Sequence, residues 1–217
     1  HTDTRRKRKS NRMDLEVSVE NVIFADMKRH LYIISGCNGA GKTTASYTVL
    51  PEILKVEEFV NADEIARGLS PFNPDSMAIE AGRLMLKRID ELLLVGKNFA
   101  IETTLATRSY AKLVERAHRQ GYVVHLVYFW LSSPQLAKER VSSRVSQGGH
   151  NIPPDVIQRR YDLGIRNLLE IFIPIVDGWL IVDNSELTQA IVAEGGMNVQ
   201  TIVYNETLFS KIKGYGK

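Results

Sequence analysis

The sequence predicts a three-layer α/β/α fold, with a five-stranded, mostly parallel sheet and a small β extension near the C-terminus. Two observations carry that prediction. Short apolar runs alternate with longer segments of helical periodicity from residue 30 to about 185, the pattern of βαβ units whose parallel strands need a crossover helix. The first apolar run also ends in a glycine-rich stretch, Gly36 to Thr43, that opens directly into a helix-forming segment, a strand–turn–helix order native to such sheets.

Each element has its own reason. His30 to Ser35 (HLYIIS) is short, apolar and closed by Gly36, and reads as a buried strand. Lys42 to Leu50 reads as a helix closed before Pro51, and Glu57 to Asn61 (EEFVN) as the second strand. Pro71 and Pro74 mark a loop, after which Asp75 to Val95 keeps helical periodicity. Phe99 to Glu102 is the third strand, Arg108 to Gln120 a helix stopped at Gly121, and Val123 to Leu131 a long buried strand. Ser133 and Pro134 open a helix to about Ser146. Gly148, Gly149, Pro153 and Pro154 punctuate a loop, and Asp155 to Ile173 returns to helix. Leu180 to Val182 is the fifth strand, and Ala190 to Val192 with Val199 to Tyr204 form a terminal hairpin around Gly195-Gly196.

A chain of 217 residues points to one domain, spanning residues 13–217 with its core at 30–185. At that length roughly 70% of the unfolded surface can be buried, so no disulfide or structural metal is required. The longest apolar run, Val123 to Leu131, is interrupted by His125 and is far shorter than the ~20 residues of a membrane span; no membrane partner is expected. The single cysteine, Cys37, excludes an internal disulfide and fits a reducing compartment, with the cytoplasm as the expected location. The net charge of +3 comes from the first twelve residues. Arg5, Arg6, Lys7, Arg8, Lys9 and Arg12 face only Asp3 there, and the rest of the chain is left at −2. Residues 1–12 therefore read as a basic tail, disordered or added to the native chain, and a nucleic-acid partner is not expected.

Gly36-Cys37-Asn38-Gly39-Ala40-Gly41-Lys42-Thr43 matches G-x-x-x-x-G-K-[ST] without a mismatch, in the strand-to-helix context that confirms a P-loop. This places the fold among P-loop NTPases. The glycines let successive N–H groups turn toward phosphate oxygens, and the helix N-terminus adds positive potential. Gly36, Asn38, Gly39, Ala40, Gly41, Lys42, Thr43 and Thr44 are the expected nucleotide-binding residues. Lys42 is expected on the β- and γ-phosphates and the Thr43 hydroxyl on Mg²⁺, with ATP as phosphate donor. Cys37 is a passenger in the loop. The guanine-reading N-K-x-D pattern does not occur.

Ligands collect at the carboxyl ends of the strands in open α/β sheets. Asp63, just past the second strand, suits a general base that accepts the proton of an acceptor hydroxyl; its bland alternative is a first-turn helix acid. Glu102 ends an apolar strand, where a carboxylate needs a partner. It can hold a substrate hydroxyl, a water on Mg²⁺ or an arginine. Thr103 and Thr104 offer hydroxyls beside it, and one of them is expected to cap the next turn. Arg140 and Arg144 share a helix face before Gly148-Gly149-His150, and Arg159 and Arg160 follow on the next helix. A glycine loop flanked by arginines reads as a lid that excludes water and supplies cations to the transferring group.

With these pieces in place, the chain resembles the zeta-toxin family of P-loop kinases. The matching segments are GCNGAGKTT (36–44), FVNADEIARGLSP (59–71), FAIETTLAT (99–107) and RVSSRVSQGGHNIPPDVIQRRY (140–161). The resemblance implies an ATP-dependent kinase; the best-known members phosphorylate UDP-N-acetylglucosamine at a sugar hydroxyl. It implies Asp63 as general base and Glu102, with Thr103 and Thr104, as the holder of the sugar nucleotide. Arg140 or Arg144 takes the place of the first γ-phosphate arginine. The lid here reads GGHNIPP, whereas the toxins carry a second arginine inside that loop, so His150 or Arg159 is the expected substitute. An antitoxin-like partner is not inferable from one chain. Two other readings stay open at this point: a polynucleotide or tRNA-directed kinase, and a nucleotide-dependent switch that transfers no phosphate.

Overall fold

Residues 28–52, 54–146 and 151–215 are described by the structure, a computed structural model. The basic tail at 1–12 and the expected lid centre at Gly148, Gly149 and His150 lie outside them.

The architecture grows outward from β1 (Arg29–Gly36), whose residues after Arg29 are all buried. Parallel neighbours flank it on both sides: β3 (Phe99–Thr103) pairs Ile34 with Glu102, and β4 (Tyr122–Trp130) pairs Gly36 with Phe129. A strand covered on both faces is uniformly apolar, which is why these runs do not alternate. β2 (Glu58–Val60) lies outside β3, and β5 (Gly178–Asp183) lies parallel to β4.

The sheet has seven strands in the order β2-β3-β1-β4-β5-β6-β7, not the five expected. β6 (Ala190–Gly196) and β7 (Val199–Val203) are the expected terminal hairpin. β6 pairs antiparallel onto β5 and β7 onto β6, so the hairpin continues the sheet instead of standing apart from it. Glycines permit the close docking: a Cβ on Gly196 would lie 2.1 Å from the Asp177 carbonyl oxygen.

Helices α1 (Lys42–Glu52), α2 (Ala62–Leu69), α3 (Ala78–Val95), α4 (Tyr110–Arg119), α5 (Pro134–Val145) and α6 (Pro154–Asn167) connect the strands. Three boundaries differ from expectation. Pro51 sits inside the last turn of α1, where its nitrogen has no N–H to donate back along the helix and the helix ends one residue later. Pro74–Met77 forms a separate 3₁₀ turn ahead of α3. After α6 the chain winds into a π-helical turn, Leu168–Phe172. A further helix, α7 (Glu206–Gly214), was not foreseen. Asn205 caps it, Phe209 stacks on Trp179 with ring centres 6.3 Å apart, and Ile212 is fully buried. Its signal was present in the Asn205 cap and the Phe209/Ile212 spacing. Among the described residues, no helix is long and apolar enough to cross a membrane.

Candidate active site

β1 delivers the chain at Gly36 into a tight loop in which Gly36, Gly39 and Gly41 all hold positive φ. α1 begins at Lys42, so the helix N-terminus opens directly from the loop; within the loop the Ala40 N–H donates to the Cys37 carbonyl at 3.2 Å. The Lys42 side chain is buried. Its Nζ donates to the Cys37 carbonyl at 3.0 Å and lies 3.7 Å from Glu102 Oε1. Burial pushes the Cys37 thiol up to about 11, so it stays protonated and unreactive at neutral pH, in keeping with a passenger.

Glu102 is the centre of this arrangement. The β1–β3 register sets it beside the loop, with its side chain only 8% exposed. Thr43 Oγ1 donates to both of its oxygens, at 3.0 and 2.8 Å, and Asn61 Nδ2 donates to Oε2 at 3.0 Å. A buried carboxylate of this kind is tolerable because two donors, the Thr43 hydroxyl shared between its oxygens and the Asn61 amide, and a nearby ammonium satisfy it. Of the three roles open to Glu102, the geometry places it on the Thr43 hydroxyl and not on the wall of the neighbouring cleft. Thr103 spends its oxygen on the Leu105 N–H at 3.0 Å and is the turn-capping threonine; neither it nor Thr104 reaches the cleft wall.

That cleft, of about 590 Å³, opens beside the phosphate loop between α1 and α2. Thr43 and Thr44 form its floor, and Tyr47, Arg67 and Asp75 stand around it. Asp63 is exposed on its wall in the first turn of α2, and no hydrogen bond or ion pair engages its carboxylate among the described residues. Asn61 explains why it stands there. Its Oδ1 accepts from the Asp63 N–H at 2.8 Å, capping α2, while its Nδ2 holds Glu102. One amide therefore ties the helix that carries Asp63 to Glu102, and through Glu102 to Thr43 of the phosphate loop. In the sequence Asn61 stood out only as the last residue of the second strand, and Tyr47, Arg67 and Asp75 carried no signal that set them apart.

The arginines separate. Arg144 lines the cleft with its guanidinium unengaged among the described residues. Arg160 also lines it and donates to Asn38 Oδ1 of the phosphate loop at 3.1 Å. Arg159, its neighbour on α6, is exposed and does not line the cleft. Arg140 turns elsewhere: its two terminal nitrogens donate to the carbonyls of Asn184 and Ser185, each at 2.8 Å. His150 lies outside the described residues.

The donor set fits a magnesium nucleotide. The helix N-terminus and Lys42 suit a triphosphate, and Thr43 with Glu102 offers hard oxygen to Mg²⁺, which keeps few protein ligands beside substrate phosphates. Among the described residues no group of three or more His, Cys, Asp or Glu side chains could hold a metal by itself.

Comparison with known proteins agrees with the fold. The family model described as Zeta toxin matches residues 17–188. A curated relative, an uncharacterized protein of Haemophilus influenzae, is 29% identical over 135 residues, 62% of this chain and 94% of its own. Among solved structures, the PezAT chromosomal toxin–antitoxin system of Streptococcus pneumoniae superposes with a TM-score of 0.64 at 16% identity, covering 96% of this chain and 93% of that one. The AvrRxo1-ORF1:-ORF2 complex with ATP gives a TM-score of 0.67 at 16% identity, covering 98% and 70%. At these identities the solved structures speak for the fold, a P-loop kinase-like α/β sheet.

Proposed function

The chain belongs to the zeta toxin family, and on that premise we propose that it transfers the γ-phosphate of ATP to a hydroxyl of a small molecule held in the cleft. The observation that carries this reading is the Asp63 carboxylate, unpaired among the described residues, in the lining of a cleft that Thr43 and Thr44 of the phosphate-loop end also line. A switch or motor has no use for a second substrate's base at that place.

The chain's own groups divide the work. The loop N–H groups and Lys42 bind the triphosphate. Thr43, with Glu102 behind it, would hold Mg²⁺, which when bound neutralises charge on the β- and γ-phosphates. Arg144 and Arg160 line the cleft and place cations where charge develops on the transferring group. Arg160 takes the part that the sequence offered to His150 or Arg159. Asp63 orients the acceptor hydroxyl and receives its proton, and alignment of the two reactants supplies most of the rate. The cleft's lining supports a nucleotide sugar such as UDP-N-acetylglucosamine as acceptor: the exposed Tyr47 ring offers a surface to a base, and Arg67, paired with Glu64 at 3.0 Å, would share its guanidinium with a diphosphate.

Asp63→Asn tests the reading. With labelled ATP and a panel of nucleotide sugars, nucleosides and RNA, the wild type should label one acceptor class. The variant should bind ATP with nearly unchanged affinity and transfer at least ~100-fold more slowly. Transfer at the wild-type rate would remove Asp63 from the base role.

A further inference from the structure

A peptide plane points its C=O and the following N–H in opposite directions. In a phosphate loop this means that whatever holds a carbonyl outward aims the next N–H inward. The Ala40 carbonyl is held in this way: Asn184 Nδ2, from the loop after β5, donates to it at 2.8 Å. The next residue is Gly41, at φ +82°, with Asn184 so close that a Cβ there would lie 2.5 Å from Nδ2. Glycine rotates cheaply between backbone basins, so the Ala40–Gly41 peptide needs an external restraint to keep one orientation.

Asn184 is itself braced from three directions. Its N–H donates to the Trp130 carbonyl at the end of β4, at 2.9 Å. Its carbonyl and that of Ser185 receive the two nitrogens of Arg140 from α5. Ser185 Oγ accepts from the Ser132 N–H at 2.8 Å and bonds to Asp183. The sequence gives no hint of this, because Ala40, Arg140 and Asn184 are far apart in the chain.

We propose that Asn184 is a positioning residue of the phosphate loop: it fixes the Ala40–Gly41 peptide so that the Gly41 N–H faces the triphosphate, and Arg140 holds Asn184 in place to do so. Arg140 thereby acts through the loop and not on the γ-phosphate. The proposal rests on the reading of Gly36–Thr43 as a triphosphate site, but it makes a claim about the loop that is measurable without any phosphate transfer.

Cys37 provides the second readout. It is the one cysteine of the chain and is 2% exposed within the same loop, so its rate of reaction with a chromogenic disulfide reports loosening there. In Asn184→Ala, a fluorescent ATP analogue should bind about tenfold more weakly, the scale of one lost hydrogen bond. Cys37 should label about tenfold faster, saturating ATP should slow that labelling again, and the melting temperature should move little. Asn184→Asp keeps the size and loses the donor, so it should match Ala or exceed it. Arg140→Lys replaces the planar fork that spans both carbonyls by a single point of donors and should shift both readouts in the same direction by less. Wild-type affinity and wild-type labelling in Asn184→Asp and Arg140→Lys would overturn the proposal, whether or not Asn184→Ala folds. If the wild type itself binds no ATP while the variants still label faster, the restraint stands and the nucleotide reading falls.

Discussion

Replacing Glu102 by Gln keeps the shape of the side chain and removes its charge from the most connected point of the site. In the protein without nucleotide, Lys42 then loses the anion 3.7 Å from its Nζ. At an effective dielectric of about 20 that attraction is about 4 kcal/mol. Breaking a buried pair from one side costs a similar amount, about 3 to 5 kcal/mol, since the remaining charge stays buried. The new amide also turns an NH₂ toward Thr43, Asn61 or Lys42, all of which donate to Glu102 or face it as cations. For a domain of this size the melting temperature should fall by about 10 °C, read by differential scanning fluorimetry. Nucleotide binding adds a sign test. With ATP and a chelator, the variant should bind at least as tightly as the wild type, because a carboxylate that repels phosphate is gone. Adding Mg²⁺ should reverse the order, because the wild type alone keeps the acid behind Thr43. A melting temperature within 2 °C of wild type, or an order of affinities that Mg²⁺ leaves unchanged, would refute the reasoning.

A pH dependence follows from the far end of the same sheet. His125 is buried, its Nε2 lies 3.1 Å from His30 Nδ1, and burial followed by the repulsion of His30 lowers its pKa from 6.5 to about 4. The unfolded chain therefore binds the extra proton between those values and the folded one does not. Stability is full above pH 6.5 and falls as the pH drops toward 4, by roughly 3 kcal/mol at the limit. Urea unfolding at pH 7 and pH 5 measures it, and His125→Phe should remove this part of the slope. Asn61→Ala should remove both the cap of α2 and a donor to Glu102. A stability loss of about 2 kcal/mol is expected, and in the transfer assay a larger fall in turnover than in ATP affinity; equal falls in both would show that Asn61 does not place Asp63.

Much of this protein is legible along the chain because its determinants are local. The apolar runs of β1, β3 and β4, the glycines and Lys42 of the phosphate loop, and Ser133-Pro134 at the start of α5 each act within a few residues. The class of fold, the triphosphate loop and the candidate base Asp63 follow from them directly. What the chain alone left open depends on register and on contacts between distant residues. The β1–β3 register turned Glu102 toward Thr43 and Lys42 and away from the cleft. The rotation of α6 brought Arg160 to Asn38 while its neighbour Arg159 remained exposed. Docking of β6 on β5 extended the sheet to seven strands, since the glycines that permit close approach do not reveal which edge they will approach. The phosphate loop is thus a property of eight consecutive residues, whereas the orientation of its Ala40–Gly41 peptide is a property of Asn184, 144 positions away. Backbone propensity and periodicity act over a turn or a strand; a hydrogen bond between remote groups exists only once the sheet has brought them together.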